Sequence, residues 1–171
     1  MKRLTLVRHA KSSWTEVGRA DHDRVLSDRG ERDAPRMGKR LAARKVRPSL
    51  IVTSSATRAR RTGSHIAEAM NYPAEFLQVE KDLYLASPET ILDLVCGQED
   101  NFSDLMVIGH NPGMTDLVNH LLPSMELNNL QTGGVVAIDI ATRKWSEITS
   151  AEAKLAFYDF PKNSELLLIE D

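Results

Sequence analysis

Apolar runs at 3–7, 49–53 and 105–109 read as strands buried on both faces of a parallel sheet. Further strand candidates fall at 75–79, 134–140, 145–149 and 154–160. Helical spacing fills the intervals. Asp28-Arg29-Gly30-Glu31 offers a capping box, after which Ala34, Met37, Leu41 and Ala42 recur at helical positions. Pro35 predicts a kink or a late start in that helix. Over 57–70, the residues Ala59, Thr62, Gly63, Ile66, Ala67 and Met70 share one face, and Asn71-Tyr72-Pro73 ends the helix. Ser87-Pro88-Glu89 combines an N-cap serine with proline at the first helical position, and Gly97 supplies a stop. Met114, Leu117, Val118, Leu121 and Leu122 complete a helix soon after position 110. Alternating strands and helices predict an α/β fold, a three-layer α/β/α sandwich around a mainly parallel sheet.

No repeat, low-complexity tract or Pro/Gly/Ser linker interrupts the 171 residues, so one domain over 1–171 is expected. The single Cys96 excludes an internal disulfide and fits a reducing cytoplasm. Met1-Lys2-Arg3 precedes an apolar run too short for a signal peptide, and nothing approaches the ~20 apolar residues of a membrane span, so a cytoplasmic protein is expected. The net charge of −2 conceals an asymmetry. Residues 1–61 hold 17 of the 22 Lys and Arg against six acids, net +11, and the remainder carries net −13. Such a split suits an anionic ligand or an interleaving of faces. A nucleic-acid partner is not expected, because only Trp14 interleaves with these basic residues.

Chemistry concentrates where apolar runs end. Leu4-Thr5-Leu6-Val7 closes on Arg8-His9-Ala10, and Leu105-Met106-Val107-Ile108 closes on Gly109-His110-Asn111-Pro112. Strand ends followed by a loop and a helix are where α/β proteins place ligands. A hydrogen-bonded histidine at a buried strand end is the competing reading for each. It loses ground beside Arg8 and beside the tight turn that Gly109 and Asn111-Pro112-Gly113 imply. His65 and His120 fall on the polar sides of their helices and read as surface residues. His22, in Asp21-His22-Asp23-Arg24, reads as a loop residue, with the substrate side as the alternative.

After the strand Leu50-Ile51-Val52-Thr53 comes Ser54-Ser55-Ala56-Thr57-Arg58, a strand, polar turn and helix start of the kind that binds anions. Arg58 in the first turn can project a bidentate fork over the strand ends, whereas Arg60 and Arg61 read as solvated. No zinc, P-loop or dinucleotide spacing is present, and histidines beside arginines attract an anion rather than a cation. Neither a metal nor a cofactor is expected.

Arg8-His9-Ala10 resembles the Arg-His-Gly signature of the histidine phosphatase superfamily, the phosphoglycerate mutase-like fold. Leu6 to Trp14, Leu26-Ser27-Asp28-Arg29-Gly30, Ser54 to Thr62 and Val107 to Gly113 resemble its blocks in order, across nearly the whole chain. The short length and Arg8-His9-Ala10-Lys11-Ser12-Ser13-Trp14 look closest to bacterial SixA-type phosphohistidine phosphatases. The resemblance implies that His9 is a nucleophile forming a phosphohistidine intermediate, with Arg8, Arg58 and His110 around the transferring group and Ser12 adding a hydroxyl. Such a nucleophile must be neutral, with its other ring N–H held by an acceptor, whereas His110 is more useful protonated. Three departures matter: Ala10 replaces the glycine, Thr15 stands where mutase-like members carry asparagine, and Asn111 stands where the acid-phosphatase branch has aspartate. Glu80 and Asp82 are the remaining candidates for a general acid. A missing acid favours a labile donor such as protein phosphohistidine, as against a small sugar or nucleotide phosphate, or a non-catalytic phospho-ligand module. The segment after Thr142 carries no functional signal, and the sequence leaves oligomeric state open.

Overall fold

The computed structural model describes residues 1–163 of the chain. Six strands form one sheet, β1 (Lys2–Arg8), β2 (Leu50–Ser54), β3 (Gln78–Glu80), β4 (Asp104–Gly109), β5 (Val135–Ile140) and β6 (Ala153–Asp159), in the order β3-β2-β4-β1-β5-β6. The pairs β3/β2, β2/β4 and β4/β1 are parallel, while β5 and β6 add antiparallel ribbons at one edge. The fold is therefore α/β with a mixed, mainly parallel sheet.

Alternation along each central strand sends side chains to two cores. Leu6, Val52 and Val107 pack on one side with α3 (Pro88–Cys96) and α4 (Gly113–Leu121). Val7, Ile51 and Ile108 pack on the other with α1 (Asp28–Ala43) and α2 (Thr57–Ala69). The chain leaves β1 over one face and β4 over the other. The carboxyl ends of these neighbouring strands are thus a topological switch point, where open α/β sheets bind ligands.

Several sequence expectations need correction. The cap of α1 is Ser27, one residue earlier than the expected box, its Oγ accepting the Gly30 N–H at 3.1 Å. The helix starts at Asp28, before Pro35 rather than after it, and continues through the proline, with Ala34 buried beside Ala10 and Leu26 and with Met37 and Leu41 buried against the sheet and α2. The 75–79 segment gives a 3₁₀ turn at Ala74–Phe76 and only a short strand at Gln78–Glu80. The 145–149 segment is a 3₁₀ turn, not a strand, anchored by the buried Trp145, whose Nε1–H donates to the Phe102 carbonyl at 2.8 Å. His65 is also not free on the surface. Its side chain is 15% exposed and its Nε2 lies 2.6 Å from Glu31 Oε2, because α1 covers the face that a lone helix would leave to solvent. His120 is exposed as expected. Among the described residues, no helix is long and apolar enough to cross a membrane.

Candidate active site

Strand register builds the site. Arg8 pairs with Gly109 and Thr53 with Ile108, so His9, His110 and the Ser54-Ser55 turn leave the sheet at one level. The His9 N–H donates to the Gly109 carbonyl at 3.0 Å. The two imidazoles face each other with ring centroids 5.1 Å apart. Glycine then fixes the surrounding loops. A Cβ on Gly30 would sit 2.1 Å from the Lys11 carbonyl oxygen, so the first turn of α1 can clamp the loop after His9 only without one. Ala10 needs no special backbone conformation, since its φ is not positive, and its N–H donates to Thr62 Oγ1 at 3.0 Å.

His9 has a defined tautomer. The Ala10 carbonyl can only accept, so Nδ1 carries the proton that bridges the 2.7 Å to it, and Nε2 presents its lone pair. Burial, with His110, Arg58 and Arg8 nearby, pushes the His9 imidazole down to about 3, against the opposing pull of the Ala10 carbonyl. Arg58, 2% exposed, spans the site. Its Nε points at His9 Nε2 and one terminal nitrogen at His110 Nδ1, both at a long 3.4 Å. Its outer edge is fixed by Asp21, through the backbone oxygen at 2.7 Å and Oδ2 at 3.1 Å.

Arg58 cannot accept, so His110 Nδ1 is the acceptor, and its proton resides on Nε2, which donates to Ser54 Oγ at 2.7 Å. Burial, then the Arg58 charge, pushes His110 down to about 4, so the protein groups around it favour the neutral imidazole. Arg8 donates from one terminal nitrogen to the Leu130 carbonyl at 2.9 Å. Its Nε is buried with no hydrogen-bond partner among the described residues, a donor free for an anion. Ser12 is buried, and its Oγ accepts from Arg24 at 2.7 Å, leaving its own proton to donate.

Arg8, His9, Arg58, His110 and Ser12 thus meet in one cleft of about 280 Å³. Glu80 and Asp82 do not line it, and Glu80 instead accepts from Gln78 Nε2 at 2.6 Å. Asn111 lines it, but its amide is spent on Thr115, Asn129 and Leu130. His22 stands outside, bonded to Ser55 Oγ at 2.9 Å. Arg60 and Arg61 are exposed, as expected.

The sequence reading missed Asp21, Arg24 and Tyr84. The Tyr84 hydroxyl donates to Asp21 Oδ2 and its ring stands edge-on to His110 at 5.5 Å. That hydroxyl foremost, aided by Arg58 and Arg24 and opposed by partial burial, holds the Asp21 carboxyl at about 2. The i, i+3 spacing of Asp21 and Arg24, which pair at 3.1 Å, is the signal that could have found two of the three.

Residues 4–83 match the model of the histidine phosphatase superfamily, branch 1. An uncharacterized protein of Mycobacterium tuberculosis is 31% identical over 166 residues, covering 91% of this chain and all of that one. A structure named for SixA phosphohistidine phosphatases, from Agrobacterium tumefaciens, is 28% identical at a TM-score of 0.77, over 94% of this chain and 99% of that one. A mycobacterial glucosyl-3-phosphoglycerate phosphatase shares the fold at a TM-score of 0.69 with 16% identity, over 94% and 100% of the two chains. With its strand-end histidines and arginines in the order described, the chain belongs to the histidine phosphatase superfamily, branch 1.

Proposed function

We propose that this phosphatase removes phosphate from protein phosphohistidine, or a similarly labile donor, through a covalent phosphohistidine formed on His9. The observation that carries the substrate class is the cleft's acid inventory. Among the described residues Asp21 is the one carboxylic acid lining it, and its neighbours hold it at about 2. It is therefore ionised at neutral pH and has no proton to give. An alkoxide leaving group needs such a proton, whereas imidazole departs from phosphorus without one.

The remaining groups suit phosphoryl transfer. His9 Nε2 is an unprotonated nucleophile, and its fixed Nδ1–H lets the Ala10 carbonyl stabilise the charge that arrives on the ring. Arg58 and the unpartnered Arg8 Nε supply N–H donors for the equatorial oxygens, with Ser12 as a further donor. A dianion beside His110 would raise its pKa toward the protonated donor form. These cations do the work assigned elsewhere to metals, so the proposed reaction is metal-independent. A cytoplasmic location is part of the proposal and is supported by the lone Cys96, which suits a reducing compartment.

Incubation with a labelled phosphohistidine peptide, followed by a search for acid-labile label, tests this reading. Wild type is expected to label and His9→Ala not to, with activity unchanged by chelator. Faster turnover of sugar phosphates would reassign the substrate to a small metabolite. Neither label nor turnover would make the chain a phospho-ligand binding module.

A further inference from the structure

Beyond the groups that face phosphorus, the same cleft is lined by Asp21, Trp14 and Leu85. Trp14 is 73% and Leu85 56% exposed, so large apolar surface stands at the mouth of an otherwise polar, cationic site. Leu85 is held there at φ +48, a left-handed conformation that a leucine adopts only when its surroundings impose it. The Arg24 guanidinium lies 3.4 Å from the centroid of the Trp14 ring, covering one ring face. Asp21 Oδ2 is taken by Tyr84 and Arg58, whereas Oδ1 accepts only from Arg24 Nε, at 3.1 Å. A carboxylate oxygen has room for a second donor. This part of the cleft therefore offers an acceptor carboxylate beside apolar walls. A sugar would bring hydroxyls to those walls, while a flat aromatic cation with one N–H matches both features. With Arg24 and Arg58 nearby, such a cation needs a compensating carboxylate, and Asp21 supplies it.

We infer that Asp21, Trp14 and Leu85 form a leaving-group subsite that takes the imidazolium ring of a phosphohistidine, whose distal N–H is donated to the Asp21 carboxylate. The inference rests on the phosphohistidine reading above. In the step it serves, the His9 Nε2 lone pair forms a bond to phosphorus as the substrate's P–N bond breaks. The electron pair of that bond stays on the departing nitrogen. The departing ring already carries a proton on its distal nitrogen, so it leaves as neutral imidazole and no proton is transferred. His9, protonated at Nδ1, becomes the new phosphoimidazolium, its N–H held by Ala10 as the substrate's was held by Asp21. Hydrolysis of that bond then returns His9 to its starting tautomer, again without a general acid.

The test compares kcat/KM for free phosphohistidine with that for p-nitrophenyl phosphate, whose phenolate leaves unprotonated and carries no cation. Asp21→Asn is expected to lower the ratio of the two at least tenfold, and Trp14→Ala, at an exposed position, at least threefold. Equal losses on both substrates would mean that Asp21 acts only by holding Arg58, and would overturn the subsite. An unchanged ratio in both variants would overturn it too. Wild type that hydrolyses p-nitrophenyl phosphate but not phosphohistidine would instead reject the underlying substrate reading.

Discussion

Arg58→Lys isolates the fork of the guanidinium from its charge. Arg58 uses Nε and one terminal nitrogen on the histidine side and holds Asp21 with its outer edge. The two contacts toward His9 and His110 are long, at 3.4 Å, and are the ones phosphoryl oxygens would take over at better geometry. A lysine ammonium keeps the positive charge but is one compact donor centre on a flexible stem, and it cannot reach both edges at once. Removing one preorganised donor to a developing charge costs about 10²–10³ in kcat, or ~3–4 kcal/mol. Two such donors and the Asp21 clamp are lost together, and such losses are not additive. The expected fall is therefore about 10³-fold in kcat, with a smaller change in KM. Steady-state hydrolysis of p-nitrophenyl phosphate gives both constants, and rapid-quench trapping of acid-labile phosphoenzyme shows whether the first transfer is the step affected. A kcat within about tenfold of wild type would show that charge alone suffices, and the role given to the guanidinium geometry would fail.

Gly30→Ala drives a Cβ to 2.1 Å from the Lys11 carbonyl, so we expect a loss of about 3 kcal/mol in denaturant unfolding and a drop in kcat as the loop after His9 shifts. Asp104, with one buried oxygen lacking a partner, is raised to about 6 by burial, with Arg3 opposing and Asp139 adding to the shift. The folded state thus binds this proton more tightly than the unfolded chain, and stability falls as pH rises from about 4 to about 6. Asp104→Asn should gain about 1–2 kcal/mol at pH ~7.5, after allowance for its partial exposure, and much less at pH ~5. His9 and His110 act in the opposite sense. Their folded values of about 3 and about 4 lie below the unfolded value of 6.5, so stability is fully present above that value and is lost as pH falls below it. Each histidine accounts for roughly 2 kcal/mol of the loss by pH ~5, and His110→Gln should flatten the urea-unfolding profile measured across that range.

What the sequence discloses and what it hides divide along physical lines. Parallel strands buried on both faces are continuous apolar runs, so β1, β2 and β4 stand out, and with them the residues that follow each strand. Arg58 is visible because its place in the first turn of a helix after a strand is a local property. The register that brings His9 level with His110 is not local, nor is the contact of Asp21 with Arg58, 37 residues away, or with Tyr84, 63 residues away. Asp21 lies in a polar stretch that solvation alone would explain, and only the fold sets it against Arg58 and Tyr84 at the cleft. The downward pull on the His110 pKa is hidden for the same reason. Protonation follows from its use with a phosphate, but its pKa is set by burial and by a buried arginine that the sequence does not place beside it.

Two neutral imidazoles between two guanidiniums make a site that disfavours added protons and favours an anion. Burial removes the water that would otherwise screen Arg8 and Arg58, so their fields act on His9 and His110 and then on whatever binds between them. The same feature keeps the His9 Nε2 lone pair unprotonated across the physiological range, as the proposed attack on phosphorus requires. A phosphoryl dianion would compensate the two guanidinium charges as it arrives, and more so as charge builds on its equatorial oxygens. Asp21 sets the limit. It anchors Arg58 from outside, yet as a carboxylate it must remain on the outer edge of the guanidinium, because on the inner edge it would compete with the phosphate itself. The Tyr84 hydroxyl and Arg24 hold it there, which ties the 3₁₀ turn at Asp21–Asp23 to the segment before α3 and makes both part of the geometry that positions Arg58.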